Sequence, residues 1–262
     1  MVLGVGGYAS GPIMLAAGVS GTPIAVLEPN AYPGMANRWI APYVSRALLA
    51  FGETASFFRP ETALVTGIPV RKEFFAIPRR PHGSSFTVLI FGGSQGARSL
   101  NRAAVEALPL LASQGNELRI VHQTGQSEYK SIREAYAGSG LRAEVLPYID
   151  DMPAIFSEAD LVVCRAGANT VAELAAAGKA AIMVPFPAAA NQHQLRNAEA
   201  LVRSGAARLI LDKDLSGATL AEAIGELRTQ PEVLVQMEQR VRSMAHPEAT
   251  RKIADEMMRL AR

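Results

Sequence analysis

The sequence predicts an α/β protein built on doubly wound parallel sheets, and three observations point there. Short apolar runs recur along the chain, most of them closed by glycine, proline or small polar residues, and amphipathic helical stretches separate them. Runs without polar alternation are what a parallel sheet covered on both faces requires. Strand–helix alternation is the pattern of crossover units. The composition permits such a fold: 49% of the 262 residues are apolar and 19% charged, which separates the chain from disordered sequences. The length suits two domains better than one.

Residues 1 to 27 carry no charged side chain, and about 20 apolar residues suffice for a membrane-spanning helix. Gly4, Gly6, Gly7, Gly11, Gly18 and Gly21, with Pro12 and Pro23, break that reading, and no basic segment opens it as a secretion signal would. The stretch reads instead as a strand at Val2–Val5, a tight loop to Pro12, a short helix at Ile13–Ala17 and a second strand at Pro23–Leu27. Further strands are expected at Ala47–Phe51, Ala63–Thr66, Phe86–Phe91, Leu118–His122, Ala143–Leu146, Leu161–Cys164, Ala180–Val184 and Arg208–Leu211. Helical periodicity is clearest at Arg98–Ser113, Thr170–Ala177 and Gln192–Ser204. Residues 77–85, rich in Pro, Gly, Ser and charge, read as a connector. A last helix follows His246-Pro247, with Ile253, Met257 and Leu260 on one face. Met1 stands directly on the first strand, so the first domain reads as incomplete.

Net charge of +2 argues against a dedicated nucleic-acid binder, which carries a basic stripe. The single Cys164 has no disulfide partner within the chain and fits a reducing compartment. His82, His122, His193 and His246 show no triad or zinc spacing. Asp212-Lys213-Asp214 spells a D-x-D pattern, yet two carboxylates in a polar loop make a poor metal site. No metal residues are assigned.

Four motifs carry candidate chemistry. Gly92-Gly93-Ser94-Gln95-Gly96-Ala97-Arg98 joins a strand to a helix, and such a turn can bring backbone N–H groups and a helix N-terminus to a diphosphate, or can be an ordinary tight turn. In Cys164-Arg165-Ala166-Gly167-Ala168-Asn169-Thr170-Val171-Ala172-Glu173, Thr170 and Glu173 satisfy a capping-box spacing. The alternative is that Glu173 binds ribose hydroxyls. Past the strand ending at Val184, Gln194 and Asn197 share a helical face and could read a sugar, or simply form a solvated first turn. Gly6-Gly7-Tyr8-Ala9-Ser10-Gly11-Pro12 and Glu28-Pro29-Asn30 close two strands of the first domain and could face one cleft or be plain turns.

In this order, and with Gly67, Pro69-Val70-Arg71, His122-Gln123-Thr124-Gly125, Ile149-Asp150-Asp151-Met152 and Glu173, the set resembles the MurG family of glycosyltransferases from residue 2 to the last helix. The resemblance implies a GT-B fold of two Rossmann-like domains with the first incomplete. Residues 1–70 plus 247–262 would form the acceptor side, and 71–246 the UDP-N-acetylglucosamine-binding domain. It implies inverting transfer of N-acetylglucosamine to the C4 hydroxyl of an undecaprenyl-pyrophosphoryl-MurNAc-pentapeptide, in peptidoglycan synthesis at the cytoplasmic face of the bacterial plasma membrane. Contact with that membrane would be peripheral. By resemblance Tyr8, Glu28 and Asn30 would serve catalysis, Asn30 also touching substrate. Arg71 and Ser94 would hold the diphosphate, with Gly93 and Gln95 also touching substrate, Ile149 the uracil through its backbone, and Glu173 the ribose. His193 and Gln194 would read the sugar, with Asn197 nearby. No tightly bound cofactor is implied, Mg2+ arriving at most with the UDP diphosphate. Leu27, Pro29 and Ile68 depart from the family pattern, and its first Gly-rich loop with a histidine is absent. About three strand–helix units, roughly 80–100 residues, would complete a doubly wound half. The competing readings are a donor-binding remnant without transferase activity and another GT-B lipid glycosyltransferase.

Overall fold

The unbroken apolar runs assemble into two parallel sheets, in a computed structural model that describes residues 1–7, 9–83, 85–115 and 117–262. The first sheet has the order β1-β2-β3-β4, from β1 (Val2–Gly4), β2 (Ile24–Glu28), β3 (Arg46–Leu49) and β4 (Ala63–Val65). Helices α1 (Ser10–Val19) and α2 (Met35–Ile40) lie between its first three strands in sequence. After the short α3 (Lys72–Phe75), the second sheet alternates β5 (Phe86–Phe91), α4 (Arg98–Ala112), β6 (Leu118–Gln123), α5 (Tyr129–Ala137), β7 (Arg142–Leu146) and α6 (Met152–Glu158). It continues with β8 (Leu161–Cys164), α7 (Ala168–Ala177), β9 (Ala181–Met183), α8 (His193–Arg203) and β10 (Ala207–Leu209). Three helices follow, α9 (Gly217–Arg228), α10 (Pro231–Ser243) and α11 (Ala249–Leu260).

Successive residues of β5 point to opposite cores, which is why the strand is apolar without a break from Val88 to Phe91. Val88 and Ile90 pack with Leu100 of α4 and Leu220 of α9. Leu89 and Phe91 pack with Phe156 of α6 and Leu174 of α7. A smaller core, with Met14, Ile24, Val26 and Leu49, supports the first sheet. α1 starts at Ser10 rather than Ile13 because Pro12 falls in its first turn, where a missing N–H costs no helical bond. Its outer face leaves Ile13, Leu15 and Val19 exposed. No helix among the described residues is long and apolar enough to cross a membrane.

Two chain crossings join the sheets. The outgoing one passes Gly67, at φ +74°, where a Cβ would stand 2.3 Å from the Cβ of His246 on the returning one. Beyond it, α11 comes back to the first sheet through an Arg46–Glu256 ion pair at 2.8 Å. The connector is fastened rather than loose. His82 lies between the carboxylates of Asp160 and Glu238, 3.2 Å from each, and Arg80 donates to the Glu158 carbonyl at 2.6 Å.

Candidate functional site

The order of the second sheet is β10-β9-β8-β5-β6-β7. From β5 the chain builds outward to β7, then returns to the other side of β5 for β8. Loops leaving two such neighbours diverge and open a crevice beyond their C-terminal ends, where open α/β sheets bind ligands. Phe91 and Cys164 are paired at those ends. Past Phe91 runs the glycine-rich loop into α4, and past Cys164 runs Arg165–Gly167 into α7. The capping residues, Ala97 and Gly167, provide no side-chain acceptor. The first-turn N–H groups of both helices therefore lack intrahelical partners and carry partial positive charge, a setting for an anion.

Glycine is required where the loop meets its neighbour. A Cβ on Gly96 (φ +76°) would lie 1.9 Å from the Thr124 carbonyl oxygen, and one on Gly125 would lie 2.3 Å from that of Gln95. Gln123, at the end of β6, ties this pair to a third segment. Its Nε2 donates to the Gly93 carbonyl at 2.9 Å and its Oε1 accepts from the Ile149 amide at 2.8 Å. Gly93, Ser94 and Gln95 remain exposed at the tip. Ile149 has its N–H engaged by Gln123, and its carbonyl oxygen accepts no hydrogen bond among the described residues.

The capping box expected at Thr170 and Glu173 does not form. The helix begins at Ala168, so Thr170 lies in its first turn and Glu173 in its second. Burial raises the Glu173 carboxyl above its ordinary pKa, and the nearby Arg71 guanidinium opposes that rise. Arg71 itself precedes α3, its guanidinium 5.2 Å from the Phe74 ring centre. A half-buried carboxylate and a cation therefore stand together beside the crevice.

α8 supplies the facing groups. Asn191 and Gln192, at φ 49° and 56°, are both left-handed without being glycine, an arrangement of about 1–3 kcal/mol each that is held only where the surroundings enforce it. They start α8 at His193. Its Nδ1 lies 3.1 Å from the Tyr32 carbonyl oxygen. A carbonyl only accepts, so Nδ1 carries the proton and Nε2 of the neutral ring is an acceptor. Gln194 Oε1 accepts from the amides of Phe186 (2.9 Å) and Ala166 (3.2 Å), leaving its NH2 as a donor. One acceptor and one donor, each anchored through its other end, suit sugar hydroxyls.

The residues expected to serve catalysis are placed differently. Glu28 is buried, and its carboxylate accepts from Asn30 N and Nδ2 (3.1 Å each), Gly34 N (2.9 Å) and Asn37 Nδ2 (2.8 Å). Four donors on one carboxylate make it the organiser of the loop after β2. Asn30 donates to Glu28 and accepts from Asn197 Nδ2 at 3.1 Å, so both ends of its amide are engaged. Asn197 is fully buried rather than part of a solvated first turn, and its amide is hydrogen-bonded to Ala31, Asn30 and Ala166. Tyr8 lies outside the described residues.

Three braces escaped the sequence reading. Gln123 is one, named within the motif His122–Gly125 but given no role there. Arg165 is another, buried and donating to the carbonyls of Val184 (3.0 Å) and Pro185 (3.2 Å), to Asp212 Oδ1 (2.6 Å) and to Ser99 Oγ (2.8 Å). The first carboxylate of the D-x-D pattern is thereby held by an arginine. His122, between Tyr136 Oη (3.0 Å) and Asn101 Oδ1 (3.1 Å), is a core residue whose pKa burial lowers to about 3. Among the described residues no cluster of three His, Cys, Asp or Glu is placed to hold a metal ion.

The glycosyltransferase family 28 C-terminal domain matches residues 87–256, and the family 28 N-terminal domain matches residues 1–49. The chain is 50% identical over 261 residues to a UDP-N-acetylglucosamine–N-acetylmuramyl-(pentapeptide) pyrophosphoryl-undecaprenol N-acetylglucosamine transferase of Solibacter usitatus, covering 100% of this chain and 72% of that protein. A protein of the same name from Citrifermentans bemidjiense is 45% identical, covering 98% and 73%. Among solved structures, MurG of Acinetobacter baumannii superimposes with a TM-score of 0.85 at 36% identity, covering 98% of this chain and 74% of that one. A UDP complex of MnaA from S. aureus, at a TM-score of 0.71 and 14% identity, shares the fold.

Proposed function

Since this chain belongs to glycosyltransferase family 28, we propose that it transfers N-acetylglucosamine from UDP-N-acetylglucosamine to the C4 hydroxyl of an undecaprenyl-pyrophosphoryl-MurNAc-pentapeptide. The observation that carries this reading is the convergence of two uncapped helix N-termini and the Arg71–Glu173 pair on the crevice between β5 and β8. In it, residues 71–246 bind the donor, and residues 1–70 with 247–262 face the acceptor.

The diphosphate lies across the N-termini of α4 and α7, with Ser94 and Arg71 adding donors. Glu173 accepts from the ribose hydroxyls, and the Ile149 carbonyl faces the uracil. His193 Nε2 and the Gln194 amide orient the sugar. The acceptor oxygen bonds to the anomeric carbon from the face opposite UDP, and the bond from that carbon to the diphosphate breaks. UDP leaves with the electron pair, the hydroxyl proton passes to water and the anomeric configuration inverts. Fixed helix-end charge and Arg71 meet the developing negative charge without reorganising, the preorganised stabilisation that such donors provide. Mg2+, where present, enters with the diphosphate. Glu28 and Asn30 shape the acceptor-side wall rather than exchange protons. A lipid-borne acceptor implies work at the cytoplasmic surface of the plasma membrane.

The test is calorimetric titration of UDP and UDP-N-acetylglucosamine into the protein and its Glu173→Gln and Arg71→Ala variants, followed by transfer to the lipid acceptor. The reading expects saturable binding that weakens by at least roughly tenfold in each variant, as loss of a charge-assisted contact implies. Unaltered affinity in both variants would remove these residues from the site. Binding without transfer would favour the donor-binding remnant.

A further inference from the structure

Asn197 is the fifth residue of α8 and fully buried, and its one side-chain amide touches both halves of the protein. Oδ1 accepts from the Ala31 amide at 2.8 Å, and Nδ2 donates to Asn30 Oδ1 at 3.1 Å, both in the loop after β2. Nδ2 also donates to the Ala166 carbonyl at 3.1 Å. Ala166 directly precedes Gly167, the capping residue of α7. Gln194, one turn earlier on α8, accepts from the Ala166 amide. The peptide groups that enter the α7 N-terminus are therefore gripped on both sides by α8.

The polarity of this chain of contacts is forced. The Glu28 carboxylate only accepts, so Asn30 must turn its NH2 toward it, which points Asn30 Oδ1 at Asn197. Asn197 must answer with Nδ2, which leaves Oδ1 to take the Ala31 N–H. No other side chain of similar size offers two donors and an acceptor in that disposition. His193 to Tyr32 and the Arg203–Glu53 ion pair join α8 to the first half as well. Of these three α8 side chains, Asn197 is the one that also hydrogen-bonds to the segment entering α7.

We propose that Asn197 is a positioning residue that sets the acceptor-side loop, residues 29–34, against the donor-side N-terminus of α7. The proposal rests on the transferase reading above. Misplacing reacting groups by about 1 Å can cost on the order of 100-fold in rate, so the buried amide fixes a distance that the reaction depends on.

The experiment compares the full chain with Asn197→Ala, the isosteric Asn197→Asp and Asn30→Ala. UDP-N-acetylglucosamine affinity is read by calorimetry, kcat by transfer to the lipid acceptor, and the separation of the halves by paired spin labels on the exposed faces of α1 and α9. The expected result is donor affinity within about threefold of wild type, kcat lower by about 100-fold and a broadened distance distribution. In Asn197→Asp the carboxylate keeps Ala31 but turns lone pairs on Asn30 and Ala166, so it too is impaired while still folding. The Asn30→Ala/Asn197→Ala double variant should be no worse than either single one, as for residues acting through one link. Unchanged kcat and label distances in Asn197→Asp would overturn the proposal. So would equal losses of donor affinity and kcat, which would mean that Asn197 serves the donor site itself. Failure of wild type to bind donor would instead strike at the transferase reading.

Discussion

Replacing Glu28 by glutamine separates a structural carboxylate from a catalytic one. The side chain is 1% exposed and receives four N–H donors, two on each oxygen. Glutamine has the same shape, but one oxygen becomes an NH2. If the nitrogen takes the Oε2 place, it meets the Gly34 amide and Asn37 Nδ2; in the Oε1 place it meets both nitrogens of Asn30. Either way two bonds are lost and donors face donors. Hydrogen bonds to a charged group contribute roughly 1.5–3 kcal/mol each, and relaxation of the loop returns part of that, so a net loss of about 2–4 kcal/mol follows. For a chain of this size each kcal/mol moves Tm by about 2–4 °C. Thermal unfolding should therefore shift down by roughly 4–16 °C, with proteolysis appearing first in residues 30–37. UDP affinity should stay within about twofold, because the loop lies outside the donor crevice. A variant as stable as wild type but without transfer activity would refute this reasoning and return Glu28 to the chemistry.

Three further outcomes follow from the geometry. His82, hydrogen-bonded to Asp160 and ion-paired with Glu238, has its pKa raised from 6.5 to about 9; folding retains its proton, so its stabilising contribution is complete below about pH 6.5 and is lost as pH rises through 9. Urea midpoints should decline over that range in wild type and less steeply in His82→Gln, and parallel profiles would contradict the assignment. Gly96→Ala puts a methyl group 1.9 Å from the Thr124 oxygen at a positive φ, so it should weaken UDP binding by at least about tenfold and destabilise by more than about 1 kcal/mol, read by calorimetry and urea unfolding. Arg165→Lys keeps the charge but cannot reach four acceptors; an unfolding free energy lower by about 2 kcal/mol, from urea titration, is expected, and an unchanged one would mean that the fork of hydrogen bonds is dispensable.

The strands were legible because a parallel sheet covered on both faces demands the same apolar side chains whichever way they point. β5 and β8 have the bounds that the apolar runs predict, and other strands differ by a residue or two at their ends, some pairing on into polar residues such as Glu28, Arg46 and Gln123 and others stopping short of the run. Helix starts were harder. α7 begins at Ala168 because Gly167 supplies the extended cap, a choice with no apolar periodicity to mark it. That two-residue difference removes the capping alternative for Glu173 and leaves it a second-turn carboxylate. The reversal between β5 and β8 is a property of strand order in space, and no local pattern announces it.

The polar residues divide by how much of each side chain the fold already uses. Glycine positions such as Gly96 announced themselves, since only glycine meets a neighbouring backbone at that distance. Glu28, Asn30, Asn197 and Gln123 are equally polar and equally close to strand or helix ends, yet their hydrogen-bonding groups are engaged by protein. Their partners could not be read ahead: Asn197 bonds to Ala31, 166 positions away, and Gln123 to Ile149 across a different loop. His193 and Gln194 have one end tied and one end open, and Arg71 and Glu173 oppose each other at the crevice. A side chain anchored through one atom and open at the other is oriented for a ligand without being consumed by the fold, and one saturated on all sides is oriented for the fold alone. By that measure the crevice beyond β5 and β8 keeps groups open for a ligand, and the loop after β2 is built to be held.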